Sequence, residues 1–420
     1  MLTWIQRHRL RNFLTASIWF GPAVGMVAAL LVCRAVTVAD AWLGWDSGFS
    51  VESARVVYGA LASAFLSFIV FVFSMLLVAA QLASAQLTPR IIATAFQDSA
   101  TKAALSTFVF SFVLLLGLLL RVEDRVPQLT TGVVMLSSVA SLVAYLFMID
   151  HVISHLRPVR QLASVAHTGR RIVEAVYPQR LGPMDQAEAE ESPPVPKIPF
   201  TEVLQKSDGV LLAFDFKGLL KLARKHAITI ELVPRVGDFV SRESTLFRVY
   251  GGTRVPEGAL RRSVAFGAER TMEQDPLFAF RIVVDVACKA LSPAVNDPTT
   301  AVLALDQLHH MLRAVGRRRL DSGLVRDAEG ALRLVYRTPD WKDFVGLAVT
   351  EIRLYGKDSI QVARRLRAML EDLIGVLPPG RRARLARELE LLKRSVQRGF
   401  LEPEDRELAD RGDSQGMGGE

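Results

Sequence analysis

Two stretches of this 420-residue chain carry side chains whose types and spacing could do chemistry. In the first, Ser67, Ser74, Gln81 and Thr88 recur every seven residues, and Ser63 lies four before Ser67. At about 100° per residue a helix gathers all five within about 60° of one another, with Ala60 and Ala64 on the same face. Small and hydroxyl-bearing residues let membrane helices approach closely and hydrogen-bond, so a helix contact is the default use of such a face. A water-lined path, inside one bundle or on the axis of a symmetric oligomer, is the sharper use. In the second stretch, Ser292-Pro293-Ala294-Val295-Asn296-Asp297-Pro298 is followed by Thr299 and Thr300. Asp297 is suited to cap a helix and Pro298 to its first turn. The same helix start could hold a small anion or another ligand. Just upstream, Arg281, Asp285 and Lys289 recur every four residues and predict a ladder of ion pairs on one helix face.

Other chemistry finds little to work with. No Ser-His-Asp set, paired carboxylates, phosphate loop or metal-ligand cluster stands at a usable spacing, so the sequence is not read as an enzyme and no cofactor is expected. His151 and His155 have the i, i+4 spacing that could share a metal, beside Asp150, but a spaced third ligand is missing. Cys33 lies in a hydrophobic segment and Cys288 far away in the polar half, so the two form no disulfide framework or zinc site. The net charge of +8 and pI near 9.7 accompany no nucleic-acid motif, and on such a chain basic residues orient a membrane protein and meet anionic lipid.

The elements that must position these residues are of two kinds. Half the residues are apolar, yet 22% are charged; charges are scarce up to Ile149 and dense from Asp150 onward. Residues 1–150 are read as a transmembrane domain with spans at about 13–37, 57–80, 103–120 and 132–149, each long enough to cross roughly 30 Å of hydrocarbon. No acidic or basic residue is placed mid-membrane in any span, which favours a passive pore over a proton-coupled carrier. Lys and Arg accumulate on the side that is not translocated. Arg7, Arg9 and Arg11 therefore lie inside, as do Arg157, Arg160, Arg170 and Arg171. Asp40, Asp46 and Glu52 fall outside, with Arg121, Glu123, Asp124 and Arg125. The expected location is the bacterial inner membrane, multi-pass, with both termini cytoplasmic.

Residues 151–199 read as a juxtamembrane helix and a Pro/Glu-rich linker, with Glu188, Glu190, Glu191, Pro193, Pro194 and Pro196. Residues 200–255 read as a small β-rich subdomain, in which Val236-Gly237-Asp238-Phe239-Val240 before Leu246 and Val249 is similar to half of a lipoyl-type hairpin sandwich without the carrier lysine. Residues 256–400 read as a helical subdomain, with apolar stripes such as Ile360, Ala363, Leu366, Met369, Leu370 and Leu373. Residues 401–420 read as a disordered tail.

Phe73-Ser74 through Gln81-Leu82-Ala83-Ser84 to Pro89-Arg90, and Asp285 through Ala290-Leu291-Ser292-Pro293 to Asn296-Asp297-Pro298-Thr299-Thr300-Ala301, resemble the bacterial membrane-protein family catalogued as domain of unknown function 2254. The resemblance spans nearly the whole chain. It implies an architecture rather than an activity. Asp150 stands where the family pattern implies a second histidine, which weakens a histidine-pair site.

The fold class expected is thus an α-helical membrane bundle of four transmembrane helices followed by a cytoplasmic α+β domain. The function expected is an oligomeric channel or pore-like protein with a cytoplasmic regulatory domain; the alternative is a membrane-anchored scaffold or ligand sensor. Its partners would be the lipid bilayer, further copies of itself, and an unknown small ligand or protein, with no nucleic acid.

Overall fold

The computed structural model describes residues 17, 19–45, 48–86, 99–121, 126–155, 157–182, 199–251 and 255–415. Outside them lie Arg7, Arg9, Arg11, Asp46, Thr88, Pro89, Arg90, Glu123, Asp124, Arg125 and residues 183–198 of the linker. The chain divides between Gln161 and Leu162 into two compact units.

The helical unit consists of α1 (Phe20–Leu43), α2 (Val51–Gln86), α3 (Ser99–Leu119) and α4 (Gln128–His155). All are long and apolar enough to cross a membrane, over 24, 28, 20 and 25 residues in turn. α2 has 36 residues; at about 1.5 Å per residue it overreaches a hydrocarbon core of about 30 Å. α3 is the hub, packed against the other three.

Small residues set its approach to α1. Gly21, Gly25, Ala29 and Cys33 follow one another at every fourth position. A Cβ at Gly21 would stand 2.5 Å from Ser106 Oγ, and one at Gly25 2.6 Å from the Ser106 carbonyl oxygen. Only glycine admits backbones this close. Against α4, Ser111 reaches the Ser141 hydroxyl at 2.8 Å and donates to the Ser137 carbonyl at 3.2 Å.

The first helix differs from the 13–37 expected. It starts at Phe20, with Pro22 in the first turn where a missing N–H is harmless. It then runs through Arg34 and Asp40, so its 24 residues include two charged side chains. Arg34 is exposed, and its long stem lets the guanidinium reach toward an interface. Asp40, expected in the outer loop, is buried in the last turn of α1. It accepts from Leu129 N at 3.2 Å, Thr130 N at 3.0 Å and Thr130 Oγ1 at 2.5 Å. A residue of one helix thereby caps another, because the first N–H groups of α4 have no partner within their own helix.

α5 (Pro158–Val176) begins before that division and carries the chain, from Leu162 on, into the mixed unit. Leu162, Val165, Ala166 and Val173 are buried, and a Cβ at Gly169 would stand 2.7 Å from Ala279 Cβ. The helix is therefore built into this unit, and the Pro/Glu-rich stretch connects α5 to the first strand instead of joining membrane to domain. Arg318 holds the exit of α5, donating to the carbonyls of Tyr177 at 2.9 Å and Pro178 at 3.2 Å and to Glu174 at 3.1 Å.

A five-stranded sheet runs in the order β1 (Phe200–Leu204), β5 (Thr245–Tyr250), β3 (Thr229–Leu232), β8 (Leu332–Tyr336), β7 (Leu324–Arg326). A second sheet has the order β4 (Phe239–Val240), β2 (Gly209–Phe214), β6 (Val264–Gly267). Two expectations change here. β3 pairs in parallel with β8 about a hundred residues on, Ile230 opposite Leu334, so residues 200–255 do not close as a subdomain of their own. β4 and β5 lie in different sheets, so the lipoyl-type hairpin is absent; α6 (Phe216–His226), capped by Asp215, intervenes between β2 and β3.

After α7 (Glu257–Arg261), the helices are α8 (Pro276–Ala290), α9 (Pro298–Gly316), α10 (Trp341–Tyr355), α11 (Ile360–Val376) and α12 (Pro379–Gly399). Asp275, Asp297, Asp340 and Ser359 cap α8 to α11, each side chain accepting from the N3 backbone N–H. Where a disordered tail is expected, α13 (Pro403–Ala409) follows. Ala409 is buried with Val396 and Phe400, and Arg364 and Arg367 donate to the carbonyls of Leu408 and Asp410. These contacts offset the charge and glycine content that suggested disorder.

Candidate functional site

The inward face of α2 is made by Ala54, Tyr58, Ala62, Phe65 and Val72, all buried. Aromatic packing holds it, with Phe68 and Tyr145 ring centroids 5.0 Å apart, and Tyr58 shares a hydrogen bond with Thr131 at 3.1 Å. At about 100° per residue, the seam of Ser63, Ser67, Ser74 and Gln81 falls on the opposite side. All four are exposed, and Thr88 lies outside the described residues. The seam is not where the chain's own helices pack.

The three serine hydroxyls donate to the carbonyls four residues back, Gly59 at 2.9 Å, Ser63 at 2.9 Å and Val70 at 3.0 Å. This satisfies each donor inside the helix and leaves oxygen lone pairs and small side chains facing outward. α2 is also the least covered of the four, 17% of its most apolar window being buried against 39% for α3.

Some polar groups within the bundle are engaged with one another. Ser111, Ser137 and Ser141 form the buried cluster between α3 and α4, which the sequence reading missed although Ser137 and Ser141 share a face at i, i+4. A groove of about 390 Å³ beside α1 and α3 includes Ser106 and Thr107 in its wall. Their hydroxyls are turned back onto Lys102 and Ala103 carbonyls, leaving the groove apolar.

In the mixed unit the Asp297 turn is a cap in full. Asp297 accepts from Thr300 N at 3.0 Å and Thr300 Oγ1 at 2.5 Å, and its own N–H donates to the Ala290 carbonyl at 2.7 Å. Ser292 Oγ donates to the Lys289 carbonyl at 2.7 Å, and Asn296 takes the left-handed conformation, φ 48°, that asparagine tolerates. Ser292, Asp297 and Thr300 are thus occupied locally, while Asn296 and Thr299 are exposed. Of the ladder upstream, Arg281 pairs with Asp285 at 2.5 Å and also binds both oxygens of Glu351 on α10, at 2.5 and 3.0 Å. Cys288 nearby is buried; desolvation, then the charge of Glu351, pushes its thiol up to about 12, a protonated and unreactive state.

A further polar cluster joins α9 to α11. His309 Nε2 meets Asp372 at 2.7 Å and its Nδ1 meets Arg365 at 3.1 Å, while Arg365 donates to Asp306 at 2.7 Å. Because Arg365 only donates, Nδ1 accepts and Nε2 carries the proton. Desolvation, with the nearby Arg365 and His310, holds the His309 pKa below its ordinary value despite Asp372. His309 and Asp372 come from helices far apart in sequence, which is why spacing did not reveal them. His151 stacks on Phe147 at 5.9 Å, and among the described residues no group of three or more His, Cys, Asp and Glu could hold a metal ion.

The model of the family described as predicted membrane protein (DUF2254) matches residues 15–372. Uncharacterized proteins of Mycobacterium bovis and Mycobacterium tuberculosis are 26% identical over 427 residues, covering 96% of this chain and 80% of theirs. No solved structure matches.

Proposed function

We propose, for a chain that belongs to the DUF2254 family of predicted membrane proteins, that it is a non-enzymatic oligomeric pore whose subunits meet along α2. In this reading the four helices cross the inner membrane with both termini inside, and the mixed unit regulates the path. The observation that supports it is the outward placement of Ser63, Ser67, Ser74 and Gln81 on the least covered helix. Hydrocarbon gains nothing from a row of small hydroxyl side chains, whereas a second copy of α2 gains close contact and hydrogen bonds. On a symmetry axis, the same oxygens line a passive path.

Single cysteines at Ser67 and Ser74 test the contact and flux tests the path. The expected result is a crosslinked dimer or larger species at both positions in native membranes, and none at Val57, which is also exposed on α2 but lies about 90° off the seam. Ser74→Leu with Gln81→Leu should lower ion or small-solute flux in proteoliposomes at least tenfold. Crosslinking with unchanged flux would leave an oligomer without a pore; absence of both ends the reading.

A further inference from the structure

The outward face of α5 is basic. Arg160, His167 and Arg171 are exposed, and at about 100° per residue they lie within about 40° of one another. Arg157, just ahead of the helix, is exposed too. Among the described residues no carboxylate pairs with Arg160, His167 or Arg171. Glu174 shares this face but is held by Arg318 at 3.1 Å. The opposite face, with Leu162, Val165, Ala166 and Val173, is buried in the mixed unit, so this helix does not insert an apolar side into lipid as a surface amphipath does. What it offers is charge, and the chain puts that charge near a membrane. Arg157 and Arg160 follow the last residue of α4 by two and five positions, at most about 18 Å of extended chain.

We propose that this face docks on anionic phospholipid headgroups of the membrane that α4 spans. The inference rests on α4 being a span. Each basic residue within a Debye length of an anionic surface raises the attraction about fivefold, so Arg160 and Arg171 together are worth more than an order of magnitude at low salt. The face then selects among lipids by charge, a property separate from any path along α2.

The test uses the full chain reconstituted in phosphatidylcholine with a minor share of phosphatidylglycerol. After mild detergent extraction, mass spectrometry of the lipids that stay bound should show phosphatidylglycerol enriched on the native protein. The enrichment should fall at least tenfold in Arg160→Gln/His167→Gln/Arg171→Gln and persist in Arg160→Lys/Arg171→Lys, which keeps the charge. Equal enrichment in the native and glutamine forms, with both resistant to alkaline carbonate, overturns the proposal alone. Release of the native chain by carbonate removes the span and the proposal with it. The chain's own acidic run of Asp185, Glu188, Glu190 and Glu191 is the competing occupant. If neutralising that run deprotects the α5 amides in phosphatidylcholine alone, and phosphatidylglycerol has no effect, the occupant is this segment and the lipid proposal is wrong.

Discussion

α3 and α8 are the most enclosed helices of their respective units, yet different forces hold them. α8 buries twelve of its fifteen residues, nearly all of them apolar; Phe280 meets Phe344 with ring centroids 5.1 Å apart. In water each such ring stabilises by leaving solvent, at about 25 cal/mol per Å². α3 sits where, on the membrane reading, the surrounding solvent is itself apolar, and large side chains such as Leu136 and Phe147 of the neighbouring α4 stay exposed, at 71% and 61%. Burial gives no comparable drive there, so position is set by what lipid cannot provide: glycine-width contact with α1 and hydroxyl pairing with α4. On that reading one chain uses two sets of packing rules, and the boundary follows the solvent.

Four substitutions or conditions would break or sharpen this contrast. The largest effect is expected from Phe344→Ala, which removes a fully buried ring beside Phe280 and Tyr177 and should cost about 3–5 kcal/mol in denaturant titration of the mixed unit's signal. A loss below about 1 kcal/mol would mean that burial is not what holds α8 and α10. Next, Gly25→Val forces a side chain against the Ser106 backbone and should cost about 1–3 kcal/mol, seen as a lower melting temperature in detergent. If valine is accepted at no cost, the glycine seam is incidental. Ser111→Ala removes the hydroxyl pair with Ser141 and should cost only about 0.6 kcal/mol by the same melt, the average for such bonds in membranes. A loss several times larger would show that polar pairing, more than close approach, fixes α3 against α4.

The smallest effect concerns pH. The folded His309 has a lowered pKa, so in the window between that value and the ordinary histidine range the unfolded chain binds more protons than the folded one. Stability from this group is therefore complete above the ordinary pKa and falls as acid is added through the window. The slope of unfolding stability between about pH 5 and pH 7.5 should flatten in His309→Gln. An unchanged slope would show that the cluster does not titrate as its geometry requires.

Much of this architecture could be read from residues in order, because its causes are local. Four apolar runs, the Asp297 cap with Pro298, and the Arg281–Asp285 pair each depend on neighbours within a few positions. The outward placement of the α2 seam could not be read so, since periodicity gathers residues on one face without saying which way the face turns. Asp40 misled for a related reason: its partner, the start of α4, is some ninety residues away. The parallel pairing of β3 with β8 and the packing of α13 have the same character. A strand's sequence records its half-buried surface more than its partner, and a charged tail folds when distant arginines accept it.

The exit of α5 has a mechanical meaning. The helix is riveted to its own unit by the Gly169 contact with Ala279 and by the Arg318 clasp on the Tyr177 and Pro178 carbonyls. Pulling its C-terminal end outward would have to open both at once, so the last turns of α5 behave as a fixed beam of that unit and not as a hinge.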